Sequence, residues 1–159
     1  MSNKGFTLIE MMIVIAIIGI LSAVSLYGWL GYQNNLNLRT AAGEVMADIA
    51  FCKQRAVSEG CEYFIQFTDG SPNYSISFNG PPQFTTCTTA PQTQAKNLTS
   101  FGSGLTISNT NFTSDLVSFI PRGTLSSNTG TIILTNSKNS TATITVQITG
   151  KAYVSFTMQ

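Results

Sequence analysis

Lys4-Gly5-Phe6-Thr7-Leu8-Ile9-Glu10 opens onto sixteen uncharged residues, Met11 to Leu26, and the reading of that junction decides the fold. With only polar-uncharged interruptions the apolar stretch reaches Leu38. It exceeds a secretory signal core and fits the roughly 20 residues needed to span a bilayer. Met1 to Gly5 is a short polar leader whose one cation is Lys4. A conventional signal is cut after its apolar region at a small-residue motif. Ser22-Ala23 is a weak site of that kind, but a carboxylate inside the apolar region argues against it. The segment is therefore read as a retained anchor, with Lys4 keeping the N-terminus cytoplasmic and the remainder exported.

Glu10 is the costly residue. A charged side chain at the bilayer centre costs about 2.5–3.5 kcal/mol on insertion scales, so an acid there asks for a reason. One reading places it at the headgroup boundary, where it only ends the apolar run. The other gives it a specific partner.

Beyond the anchor, Leu38, Ala42, Val45, Ile49, Cys52 and Ala56 recur at steps of four and three, the period of one helix face. Arg39, Glu44, Asp48, Lys53, Arg55 and Glu59 are placed largely on the other side, and Gly60 is the predicted stop. Phe6 to Glu59 reads as one helix, roughly 80 Å at about 1.5 Å per residue, apolar all round at first and amphipathic afterwards. Gly28 and Gly31 mark either a bend or close packing against a neighbouring helix.

From Cys61 onward the chain reads as strands. Tyr63, Ile65 and Phe67 alternate with polar residues, Asp69-Gly70 turns, and Tyr74, Ile76 and Phe78 alternate again, predicting a hairpin. Gln83 to Ser100 reads as a long Thr/Gln-rich surface loop. Leu105 and Ile107, Leu116 to Ile120, Thr131 to Thr135, Ala142 to Thr149 and Ala152 to Met158 are further strands, with turns at 136–139 and Gly150-Lys151. The fold class is α+β: a long N-terminal α-helix, a transmembrane half plus an amphipathic half, packed on an antiparallel β-sheet domain.

Composition points away from catalysis. Only 9% of the 159 residues are charged, the net charge is +1, and histidine is absent. That removes the histidine general base and the common histidine-containing metal sites. The carboxylates are scattered and no phosphate-binding glycine loop stands out. No enzyme, cofactor or metal site is expected. Of the three cysteines, Cys52, Cys61 and Cys87, two are able to pair in an oxidising compartment. Cys61 to Cys87 is the preferred bridge, because Cys52 is expected to face the domain from the helix as a small apolar residue. The other pairings stay open.

The N-terminal motif resembles the class III leader of type IV pilins and pseudopilins. That resemblance implies that a membrane peptidase cuts between Gly5 and Phe6 and methylates Phe6. Glu10 then becomes the fifth mature residue, an assembly contact neutralised by the N-terminal amine of a neighbouring subunit. The implied layout is leader 1–5, a membrane and filament-core helix over 6–35 whose span runs Met11 to Leu30, and a globular domain over 36–159. Tyr27 stands where many major pilins carry a proline, so no proline kink is expected. The later Phe119-Ile120-Pro121-Arg122-Gly123, with a Gly-Lys turn near the C-terminus, is similar to the GspH/FimT family of minor pilins and pseudopilins. The implied partners are other pilin or pseudopilin subunits, the prepilin peptidase and the bacterial inner membrane, with the C-terminal domain in the periplasm before entry into a pilus or a type II secretion pseudopilus. Such subunits help to start assembly.

Some members of that branch bind DNA through a Gly-Arg-x-Arg motif. Gly150-Lys151-Ala152-Tyr153 stands at the comparable place here, leaving Lys151 as the one candidate DNA contact. Phosphate binding draws its strength from several cations, so one lysine predicts weak nucleic-acid affinity. A DNA-binding minor pilin is the second reading.

Overall fold

The computed structural model describes residues 5–78 and 92–159, apart from the side chains of 24–30, 78 and 92. The described residues form two compact units, Met1–Gln33 and Asn34–Gln159. Helix α1 spans Leu8–Glu59, and Gly19, Gly28 and Gly31 all lie within it. Gly60 ends it in the left-handed region at φ +67°, as its lack of a Cβ allows.

In the second unit the predicted stripe is the buried one. Leu38, Ala42, Val45, Ile49, Cys52 and Ala56 are at most 1% exposed. They share one core with the inward residues of two four-stranded antiparallel sheets. The first sheet contains β1 (Tyr63–Phe67), β2 (Asn73–Phe78), β3 (Gln92–Asn97) and β5 (Leu116–Phe119), ordered β3-β2-β1-β5. The second contains β4 (Thr106–Thr110), β6 (Gly130–Thr135), β7 (Thr141–Val146) and β8 (Ala152–Thr157), ordered β4-β6-β7-β8. Cross-strand pairs such as Ile65 with Ile76 and Ile132 with Ile144 present the apolar faces that the alternation predicts. The turn between β1 and β2 links the sheets, because Gly70 N–H donates to the Ile107 carbonyl (2.8 Å) and Ile107 N–H to the Ser71 carbonyl (2.9 Å).

Two expectations change. The segment read as a loop from Gln83 to Ser100 contains an edge strand, β3, followed by a 3₁₀ turn over Leu98–Ser100; residues 83–91 lie outside the described residues. Gln92-Thr93-Gln94-Ala95-Lys96-Asn97 has no apolar alternation to signal a strand, and only its backbone pairing with β2 makes it one. Asp48, assigned to the solvent face, is 7% exposed. It sits three residues after Val45 and four before Cys52, so the helical period carries it to the edge of the buried stripe. Tyr74 Oη donates to Asp48 Oδ2 (2.6 Å), while Lys96 Nζ reaches Asp48 Oδ1 (3.3 Å) and Glu44 Oε1 (2.9 Å). One carboxylate thus joins α1 to both β2 and β3. Removing one partner from a buried charge pair costs about 3–5 kcal/mol, whereas exposed pairs are worth about 1 kcal/mol or less. Lys96→Met is expected to lower unfolding stability in urea by about 3 kcal/mol. Arg55→Met, which removes the exposed pair with Glu59, is expected to cost no more than about 0.5 kcal/mol. Equal losses would place the burial of Asp48 in error.

The same network sets an alkaline limit. Burial, reinforced by the Asp48 carboxylate, pushes the Cys52 thiol from its ordinary 9.0 up to about 12. Burial and then the bond to Asp48 raise Tyr74, and the bond to Glu44 raises Lys96. These groups keep their protons in the folded chain after the unfolded chain has lost them, so stability declines with rising pH. It is fully present below about pH 9 and its Cys52 share is gone by about pH 12. Between 9.0, where an unfolded thiol titrates, and 10.0, where tyrosine follows, Cys52 dominates the slope. Urea midpoints measured across that interval are expected to flatten in Cys52→Ala, and an unchanged slope would contradict the assignment.

Candidate functional site

At the N-terminus of the described chain, Thr7 precedes the first helical residue and Glu10 lies three residues on. Glu10 N–H donates to Thr7 Oγ1 (3.3 Å), Thr7 N–H donates to Glu10 Oε2 (3.1 Å), and the Thr7 hydroxyl donates to the same oxygen (3.0 Å). This is a capping box, which satisfies backbone groups that the first helical turn leaves open. Threonine at 7 with glutamate at 10 is its signature in the sequence. Glu10 therefore has a local role within its own chain in addition to any role between chains.

Every residue from Phe6 to Ala23 is exposed. Phe6 (76%), Leu8 (78%), Ile9 (62%) and Ile20 (67%) place large apolar groups on more than one side of the helix. Such a surface needs lipid or protein to cover it. Among the described residues no helix is long and apolar enough to cross a membrane. The segment assigned to the span, Met11 to Leu30, includes side chains 24–30 that lie outside the description.

In the second unit two turns converge on the outer side of α1. Ile120 N–H donates to the Thr124 carbonyl (3.0 Å) and Gly123 N–H to the Ile120 carbonyl (2.8 Å), making Pro121-Arg122-Gly123 a tight turn with Gly123 at φ +76°. Gly150, at φ +72°, closes the turn after β7 through a bond to Gln147 (2.7 Å). The turns touch. A Cβ on Gly150 would collide with the Gly123 carbonyl oxygen, and one on Gly123 would lie 2.9 Å from Val57 Cγ2. Lys53, placed on the solvent face by the sequence, instead donates to the carbonyls of Thr149 (3.3 Å) and Gly150 (3.0 Å). It pins the turn to the helix. The two motifs that carried the family resemblance thus form one junction, and its glycines are required by close approach as well as by backbone angle.

Beside that junction runs an apolar groove of about 520 Å³ lined by Met46, Ile49, Ala50, Lys53, Val57 and Ala152, among others. Val57 is 53% exposed, and Phe51 nearby carries the Arg55 guanidinium 5.3 Å from its ring centre. The second half of α1 therefore buries one stripe and offers another.

Comparison with known proteins agrees with this organisation. Residues 1–26 match the prokaryotic N-terminal methylation motif, and residues 41–150 match the family described as type II transport protein GspH. The chain belongs to the GspH family. It is a member of the type IV pilin and pseudopilin superfamily, whose proteins are structural and not enzymatic. A fimbrial protein of Pseudomonas aeruginosa is 39% identical over 77 residues, covering 48% of this chain and 49% of that protein. A type IV major alpha-pilin of Moraxella bovis is 50% identical over 46 residues, 29% of each chain. The match spans about half the length of the first of these relatives and less of the second. In fold, the chain is similar to the type IV minor pilin FimU of Pseudomonas aeruginosa, with TM-score 0.57, 17% identity and coverage of 78% of this chain and 92% of that one. It is equally similar to the minor pseudopilin EpsH of the Vibrio cholerae type 2 secretion system, with TM-score 0.57, 9% identity and coverage of 76% and 97%.

The remaining candidate residues of this GspH-family chain are dispersed. Cys52 is a buried free thiol and Cys61 is disulfide-bonded, while Cys87 lies outside the described residues. Lys151 is exposed at the junction turn. Among the described residues no group of three or more Cys, Asp or Glu side chains is placed to hold a metal ion. Because Gly150 has neither the angle nor the space for a side chain, Gly150→Ala is expected to lower unfolding stability by about 2–4 kcal/mol. A Lys151→Ala control at the exposed neighbouring position is expected to stay within about 0.5 kcal/mol of the parent. A neutral Gly150→Ala would mean that the two turns do not touch.

Proposed function

We propose that the chain is a minor pilin or pseudopilin stored in the bacterial inner membrane and drawn by its N-terminal helix into a type IV pilus or a type II secretion pseudopilus, whose assembly it helps to initiate. The observation that carries this reading is the segment from Phe6 to Ala23, exposed throughout with large apolar side chains and one carboxylate near its start. In this reading prepilin peptidase cuts between Gly5 and Phe6 and methylates Phe6. The span Met11 to Leu30 holds the precursor in the bilayer with residues 36–159 in the periplasm, and Cys61 pairs with Cys87 there. In the filament the same apolar surface is covered by neighbouring helices, and Glu10 meets the N-terminal amine of another subunit. The capping box helps to hold the carboxylate until that amine arrives. A buried charge pair fixes register because a mismatch leaves a charge without a partner.

The two roles of Glu10 separate by mutation. Thr7→Ala removes the capping partner and keeps the carboxylate, at a helix cost of about 1 kcal/mol. Glu10→Ala removes both. Both variants are expected to be cleaved after Gly5, shown by mass spectrometry of the mature N-terminus. Only Thr7→Ala is expected to appear in sheared filament or in the cross-linked pseudopilus. Equal loss from both would leave capping as the whole role of Glu10.

A DNA-binding minor pilin is the second reading, carried by Lys151 on an exposed turn beside Lys53. The Lys53 ammonium is committed to backbone carbonyls, which leaves Lys151 as the phosphate contact named by the motif. A salt titration is expected to give a shallow slope, about one released counterion, that disappears in Lys151→Ala. A steep slope would favour the receptor reading over the assembly one.

A further inference from the structure

Among the described residues the two sheets end in the strands β3, β5, β4 and β8, and three of these edges are covered or blunted. β5 is bridged at Phe119 by Leu125, and its Ser118 carbonyl accepts from Ser126 N–H (3.0 Å). β4 bends at an irregularity between Ile107 and Asn109, and Ile107 bonds to the turn between β1 and β2. β3 carries Lys96, whose ammonium is fastened to Glu44 and Asp48. Bulges, charges and covering segments are the ordinary means by which a sheet avoids pairing with another chain.

β8 has none of these. Its register with β7 is unbroken, and Ala152-Tyr153-Val154-Ser155-Phe156-Thr157 contains neither charge nor proline. Gln147 N–H donates to the Lys151 carbonyl (2.8 Å), which makes Thr145 with Tyr153 and Thr143 with Ser155 the hydrogen-bonded pairs of the antiparallel ladder. Ala152, Val154 and Phe156 therefore turn their backbone N–H and C=O groups away from β7, and none of the described residues bonds to them. Their side chains share the core face with Ala142, Ile144 and Val146.

The ground beyond that edge is apolar. The groove beside the junction lies between α1 and Ala152, so a strand laid along β8 would set every second side chain over Met46, Ala50 and Val57. Its two ends are cationic. Arg39, 5.4 Å from the Phe156 ring centre, stands at one end of β8 and exposed Lys151 at the other. Neither has a carboxylate partner among the described residues, where Glu44 and Asp48 pair with Lys96 and Glu59 with Arg55.

The geometry points to strand addition: β8 pairs with an extended segment of a different protein chain, apolar at alternate residues and carrying a carboxylate at each end. The outward backbone groups supply the hydrogen bonds, the groove takes the apolar side chains, and Lys151 and Arg39 meet the carboxylates. A second copy of this chain does not match. Two β8 strands paired antiparallel about Val154 would bring Lys151 to Thr157 of the other copy, beside its Arg39, so like charges would meet at both ends. A lipid surface would cover the groove but leave the backbone groups unsatisfied.

The probe is the peptide acetyl-Glu-Val-Thr-Val-Thr-Val-Glu-amide, titrated into the full chain in nonionic detergent. Fluorescence anisotropy of the dye-labelled peptide is expected to show saturable binding. Hydrogen exchange resolved to single amides is expected to show new protection at Ala152, Val154 and Phe156. Replacing both glutamates of the peptide by lysine is expected to weaken binding at least roughly tenfold. Ala50→Glu, which sets a carboxylate on the exposed floor of the groove, is expected to do the same without altering the fold. Val154→Pro deletes an outward N–H that the ladder with β7 does not use, and is expected to weaken binding in a chain that still unfolds cooperatively; if proline unfolds the sheet, Ala50→Glu carries the test. No binding, binding without protection of those three amides, equal binding of the lysine peptide, or binding indifferent to Ala50→Glu would each overturn the proposal. So would protection of the same amides on concentrating the chain alone, which would make a second copy the occupant.

Discussion

The burial of one helical stripe, Leu38 to Ala56, against the inward faces of two antiparallel sheets is the constraint on which the second unit depends. A helix stripe and two half-apolar sheets cannot be buried separately. Joined, they close a single core, and several polar contacts keep that stripe seated. Asn136 shows how closely. Its amide donates to the Asn34 carbonyl (3.1 Å) and to Asn35 Oδ1 (3.1 Å), while its Oδ1 accepts from Lys138 and Ser140 N–H groups (2.9 and 3.0 Å), so the turn between β6 and β7 is tied to the first turns of the stripe. At the other end, Lys53 and the paired glycine turns do the same.

The placement of charge follows from that seating. Most of the charged helix residues lie toward solvent, yet Asp48 is drawn into the core edge because its position in the helical period carries it there. Its cost is offset by Tyr74 and Lys96, and in return the polar edge strand β3 is fastened to the helix. The N-terminal unit handles its carboxylate differently. Glu10 caps its own helix through Thr7 in the single chain, which gives an apparently misplaced acid a local partner and leaves it positioned at the start of the apolar surface.

Much of this was legible in the residues. The steps of three and four from Leu38 to Ala56 located the buried stripe, Gly60 its end, and the alternation at Tyr63, Ile65 and Phe67 and at Ile144 and Val146 the strands, because side-chain period and backbone geometry are locked together. The Gly5-Phe6 junction with its glutamate, and the Phe-Ile-Pro-Arg-Gly turn, pointed to the family that the comparisons show. The strand β3 was missed because an edge strand with both faces polar has no alternation to read. Asp48 was misplaced because residue type, taken alone, outweighed the period. The contact between Gly123 and Gly150 had no local signal, since their closeness arises between segments distant in sequence.

By itself, then, the amino-acid sequence determined the α+β class, the helix with its two kinds of surface, the positions of most strands and the superfamily, all of which rest on local periodicity and short motifs. Only the tertiary structure decided that the strands divide into two sheets, that a charge cluster fastens one of them to the helix, and that the two motif turns are a single junction. The physical reason is the same in each case: these features depend on which side chains meet across the core, and that is set by packing between distant segments, which no local pattern records.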